Sequence, residues 1–115
     1  IGGDSGYDPS FKTIGEKFGP FDLTILECGQ YNVKWPFIHM MPEETARAAV
    51  ELSGNVLLPV HWAKFTLSLH TWKEQAERVT KAAELLNLPV TTPLIGEVVE
   101  FNSTFQNTKW WEGIK

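Results

Sequence analysis

Val56-Leu57-Leu58-Pro59-Val60-His61-Trp62 is a short apolar run that ends on an imidazole. Such a run, rich in Val and Leu, reads as a strand buried within a sheet. A polar side chain just past the C-terminal end of a buried strand lies where open α/β sheets collect the groups that do chemistry. Upstream, Pro42-Glu43-Glu44 opens a helix, with proline in its first turn and both acids at the positive end of the dipole. Ala46, Ala49, Val50 and Ser53 give that helix a small-residue face, and Gly54 ends it. Residues 22–28 read as a second buried strand, and residues 1–7 as a strand end turning through glycines. Between them, Asp8 and Pro9 start a helix whose apolar stripe is Phe11, Ile14 and Phe18, stopped by Gly19-Pro20.

Downstream, a helix is predicted from about Thr71 to Asn87, with Trp72, Ala76, Val79, Ala83 and Leu86 facing inward. Val90 to Phe101 holds two short strand-like pieces around Pro93 and Gly96. From Asn102 the chain is polar apart from Phe105 and Trp110-Trp111, and a loosely held tail is expected over 102–115. Strands alternating with helices argue for an α/β fold, a sheet covered by helices. Gly29 to Met41 stands out as an irregular connection too aromatic (Tyr31, Trp35, Phe37) to be a solvated loop. Such connections pack over sites or interfaces.

The chain's 115 residues suit one small domain, with an ordinary balance of 43% hydrophobic and 21% charged residues. A net charge of −4 and scattered basic residues give no support to nucleic-acid binding or to a polybasic membrane contact. No apolar run reaches transmembrane length and no signal peptide is present. A single cysteine, Cys28, excludes an internal disulfide; at the end of an apolar strand it reads as a buried structural thiol, with a nucleophile as the alternative. The first residues, Ile-Gly-Gly-Asp, look like the interior of a longer protein.

Asp4, in Gly2-Gly3-Asp4-Ser5-Gly6, sits on a tight turn. It reads as a metal ligand, as the core of an aspartic-protease Asp-Ser-Gly, as part of a phosphate cradle, or as an Asx turn. The protease reading belongs to an all-β fold and conflicts with the helix just downstream. His61 reads as a metal ligand at a strand end, or as a histidine packed under Trp62. His39, before a helix start, could donate to a substrate oxygen or simply bond the next turn. Glu27 could orient a histidine or pair with a lysine. His70 reads as a surface or capping residue.

Taken in order, these motifs point to one family. Gly2-Gly3-Asp4-Ser5-Gly6-Tyr7, Phe11-Lys12-x-Ile14-Gly15-x-x-Phe18-Gly19-Pro20-Phe21-Asp22-Leu23, His39-Met40-Met41-Pro42-Glu43-Glu44 and Pro59-Val60-His61-Trp62-x-Lys64-Phe65 together resemble the C-terminal half of a metallo-β-lactamase-fold hydrolase. The nearest branch is the one containing N-acyl-phosphatidylethanolamine-hydrolysing phospholipase D and its bacterial relatives. The resemblance implies half of an αββα sandwich over residues 1–101, with two metal ions, usually zinc, at the sheet edge. It makes Asp4 and His61 metal ligands and His39 a catalytic, substrate-facing group. It implies hydrolysis of a phosphodiester, lipid or related ester. The family's His-x-His-x-Asp-His motif and one further histidine are absent, so this chain alone is expected to be inactive and to hold zinc weakly. Its expected partners are the missing N-terminal half or another copy of the chain, besides a small-molecule or lipid substrate. A cytoplasmic location is expected. The competing expectation is a non-catalytic α/β ligand-binding or protein-interaction module, with the aromatic residues as its partner surface.

Overall fold

A computed structural model describes residues 1–100 and 108–115. Helix α1 (Ser10–Phe18) leads to strand β1 (Thr24–Glu27), helix α2 (Pro42–Glu51), strand β2 (Leu57–Val60) and helix α3 (Glu74–Leu85), with a 3-10 turn at Trp110–Gly113. β1 and β2 pair in parallel, Thr24 opposite Leu57 and Glu27 opposite Val60. A parallel pair needs a crossover, and α2 supplies it.

Alternation along the strands separates two faces. Thr24, Leu26, Leu57 and Pro59 point to one face and are buried. There Leu26 and Leu57 join Ala46, Ala49, Val79 and Ala83 in the core. The alanines of α2 are the reason it can lie close to both the strands and α3: with methyl side chains, backbones approach and every methyl is buried. Gly15 gives α1 the same proximity, since a Cβ there would fall 2.0 Å from the Glu51 carbonyl oxygen. On the other face Ile25, Leu58 and Val60 are only half-buried.

Helix boundaries reflect local chemistry. The Asp8 carboxylate accepts from the Ser10 N–H at 2.8 Å, satisfying one of the orphan donors of α1. At α2, Glu44 reaches back to the Met41 N–H at 2.9 Å.

Several expectations need correction. Residues 1–7 form no strand; Gly2 donates to the Ile25 carbonyl at 2.8 Å and the chain then leaves the sheet edge. Only Val90 of the 90–100 stretch makes a bridge, to Leu57, and Pro93 breaks any continuation of it. α3 begins at Glu74 rather than Thr71. In α1 Phe11 packs on the core, whereas Ile14 and Phe18 are exposed. His70 is buried, stacked on Tyr31 with ring centroids 4.2 Å apart. In the tail, residues 101–107 lie outside the described residues. Trp110-Trp111, expected to be loosely held, are docked: Trp111 is fully buried and Trp110 stacks on Trp62 at 5.4 Å. Large aromatic area outweighs the polar composition around it.

Candidate metal centre

Three segments meet at the C-terminal ends of β1 and β2. The Asp4 turn is pinned on both sides, by Gly2 to Ile25 and by the Gly6 N–H to the Phe37 carbonyl at 3.0 Å. Among the described residues the Asp4 carboxylate accepts no hydrogen bond from its own turn, so the Asx reading fails and the oxygens face the cleft. His61 comes directly after β2 with φ +68°, in the left-handed region that a non-glycine residue rarely adopts. Such strain persists where surrounding structure over-determines it, and it turns the imidazole towards Asp4. Gly29 makes room for this bend, because a Cβ there would lie 1.7 Å from the His61 carbonyl oxygen. His39 arrives from the aromatic connection, whose next residue, Met40, donates its N–H to Glu27 Oε1 at 2.6 Å.

His61 Nδ1 lies 3.8 Å from Asp4 Oδ1, and the rings of His39 and His61 stack at 5.2 Å. One donor atom from each of Asp4, His39 and His61 falls within 4.8 Å of the others. Two imidazoles and a carboxylate are the donor chemistry that suits zinc and its neighbours. The three line one cavity of about 270 Å³ with Gln30, Trp35, Ile38 and Leu67.

Glu27 lies beneath this cluster, almost fully buried. Its Oε2 is 3.4 Å from His39 Nδ1 and 4.0 Å from His61 Nδ1, and among the described residues no lysine forms an ion pair with it. Burial, with the Asp4 charge adding to it, pushes the Glu27 carboxyl up to about 8. Burial likewise lowers the His39 imidazole. Glu27 Oε2 and His39 Nδ1 are both buried without a hydrogen-bond partner. Two buried polar atoms left unsatisfied side by side, next to a carboxylate and an imidazole, mark a centre built to receive charge. A bound cation fits: it would offset the cost of ionising Glu27 and draw His39 and His61 into fixed orientations.

Sequence reasoning left Glu27 undecided between a histidine and a lysine partner. The signal available was its position, two residues before the glycine that lets the His61 turn approach. The competing Cys28 nucleophile fails, since that thiol is fully buried and burial pushes its pKa up. Nδ1 of His39 and Nδ1 of His61 face carboxylates, against the backbone-bonded histidines expected of a non-catalytic module. No helix among the described residues is long and apolar enough to cross a membrane.

Similar proteins share this arrangement of elements. A solved metallo hydrolase, Igni18 of Ignicoccus hospitalis, superposes with a TM-score of 0.61 at 25% identity, over 84% of this chain and 37% of that one. An uncharacterised protein of Mycobacterium tuberculosis is 45% identical over 96% of this chain. N-acyl-phosphatidylethanolamine-hydrolyzing phospholipase D 1 of Caenorhabditis elegans is 33% identical over 74% of this chain and 24% of its own length. The chain spans 31% of the mycobacterial relative. The family model for the β-lactamase superfamily domain matches residues 2–62, more than half of the chain. With the fold of its solved neighbours and that match, the chain belongs to the β-lactamase superfamily and has the metallo-β-lactamase fold.

Proposed function

We propose that this chain is the C-terminal portion of a binuclear zinc hydrolase that cleaves a phosphodiester, lipid or related ester. The convergence of Asp4, His61 and His39 over a buried, unsatisfied Glu27 carries the reading. The likeness to the nematode phospholipase D supports the substrate class. Asp4 and His61 hold metal; the remaining donors come from the rest of the parent protein, since a catalytic zinc needs at least three protein ligands. The half-exposed Ile25, Leu58 and Val60 are the face on which that remainder packs.

When bound, the metal supplies a Lewis acid for the phosphoryl or carbonyl oxygen and makes water acidic enough to react near neutral pH. The chain's own residues do the rest. Glu27 Oε2 lies 3.4 Å from His39 Nδ1, on the side away from the substrate, so Nε2 is the nitrogen that would serve the cleft. There His39 would hydrogen-bond the substrate and, in its protonated form, give a proton to the departing alcohol oxygen. With a cation bound, Glu27 would close on Nδ1 and hold that imidazole in one orientation; its other oxygen is already held by the Met40 N–H. Ile38 and Leu67 give the cavity an apolar edge.

The test is hydrolysis of bis(p-nitrophenyl) phosphate by the full-length protein reconstituted with zinc. Turnover that disappears on chelation and returns with zinc is expected. Metal-independent turnover, or a protein that takes up no zinc, would contradict the proposal.

A further inference from the structure

We propose that Gln30 is a positioning residue that sets the width of the cleft beside His61 and thereby its selectivity for esters with an apolar leg. The inference rests on the hydrolase reading above. Gln30 comes after Gly29 at the end of β1 and is held at φ +62°, a left-handed conformation unusual for glutamine. Its side chain is buried and directs three hydrogen bonds at one segment. Oε1 accepts from the Leu67 N–H at 3.0 Å and the Ser68 N–H at 3.1 Å, while Nε2 donates to the Phe65 carbonyl at 2.9 Å. Its backbone carbonyl accepts from Trp35 Nε1 at 2.7 Å. One residue therefore ties the aromatic connection on one side of the site to the 65–68 segment on the other.

That segment has no regular secondary structure to hold it in place. Ser68 Oγ adds one bond, to the Tyr31 carbonyl at 2.8 Å, again on the residue next to Gln30. Gln30, His61 and Leu67 line both the metal-centre cavity and a second one of about 380 Å³ that continues past Trp62, Lys64 and Phe65. The two form one cleft running from the metal centre along an apolar wall, and Gln30 fixes the position of that wall. A phosphodiester whose reacting phosphorus lies at Asp4 and His61 would lay an alkyl leg against Leu67 and Phe65.

The test uses the full-length, zinc-loaded protein and two diesters with the same leaving group, methyl p-nitrophenyl phosphate and octyl p-nitrophenyl phosphate. Gln30→Met keeps the size of the side chain and removes its hydrogen bonds. It is expected to raise KM for the octyl ester about tenfold, the scale on which an apolar pocket discriminates, and for the methyl ester severalfold less. Gln30→Glu keeps the two accepting bonds and is expected to fall between Gln30→Met and wild type. Trypsin cleavage after Lys64 should be faster in Gln30→Met, measured where both proteins are fully folded by urea titration. Equal losses on both esters, or cleavage at Lys64 no faster than in wild type, would overturn the proposal. Wild-type protein that hydrolyses neither ester would overturn the hydrolase reading and with it the selectivity role, whereas cleavage at Lys64 would still show whether Gln30 holds the segment.

Discussion

The two faces of the β1–β2 pair are made by neighbouring residues of the same strands, yet they differ in kind. Leu26 and Leu57 are sealed under α2 and α3, while Ile25, Leu58 and Val60 stay half-buried. The sealed face is a finished core of small and branched side chains. The open one runs towards the metal centre, where Glu27 is the buried exception, covered by Met40 and by Thr45, whose hydroxyl donates to the Glu27 carbonyl at 2.8 Å. Stability is thus concentrated on one side, and the candidate metal ligands gather at the end of the other.

The largest expected effect is at that end. His61→Ala in the full-length protein should reduce hydrolysis by more than about 100-fold, beyond the upper end of the cost of removing a residue one step behind a metal. Glu27→Gln, which keeps the shape and removes the charge, should cost roughly 10–100-fold through His39 while leaving zinc binding measurable. Titrating zinc into both variants separates the two roles: His61→Ala must weaken uptake more than Glu27→Gln does.

The comparison of faces is sharpened by stability. Leu57→Ala should cost about 2–5 kcal/mol in urea unfolding of this chain. Leu58→Ala, one residue away, should cost less than half as much, because its side chain is already part-hydrated. Equal costs would mean that the open face is as tightly packed as the sealed one.

How much of this could be read from sequence depends on how local the signal is. Strand β2 and His61 were legible because an apolar run and a terminal imidazole are neighbours in sequence. The starts of α1 and α2 were legible because caps and prolines act within four residues, whereas α3 carries no such signal and begins three residues later than expected. His70 was misread as a surface group because its stacking partner, Tyr31, lies far away in the chain. Trp110-Trp111 were misjudged for the same reason: their contacts are Trp62 and Trp72. Strand alternation would have separated Leu57 from Leu58, but an all-apolar run hides it. Gln30 gave no sign at all, since nothing in the sequence marks an amide whose three partners lie more than thirty residues away.

Smaller effects come from the periphery. The buried Cys28 thiol, raised by desolvation, contributes stability that is complete below the unfolded thiol's range and declines as pH rises past its ordinary 9.0. Cys28→Ala should reduce the alkaline decline, as read from urea midpoints at successive pH values, and leave the part that comes from Tyr31, whose burial also raises its pKa. Native Cys28 should also resist alkylation until the chain unfolds. The smallest change is expected at the exposed Lys12–Glu16 pair on α1, 3.9 Å apart. Lys12→Ala should cost less than about 1 kcal/mol.

The claim that Asp4 and His61 hold the metal is tested most directly by the zinc content of the full-length protein, measured beside an Asp4→Ala, His61→Ala double variant of equal folded fraction. Wild type should carry about two zinc ions per chain, as a two-metal hydrolase requires, and the double variant should lose most of them. Undiminished zinc in the double variant would contradict the account.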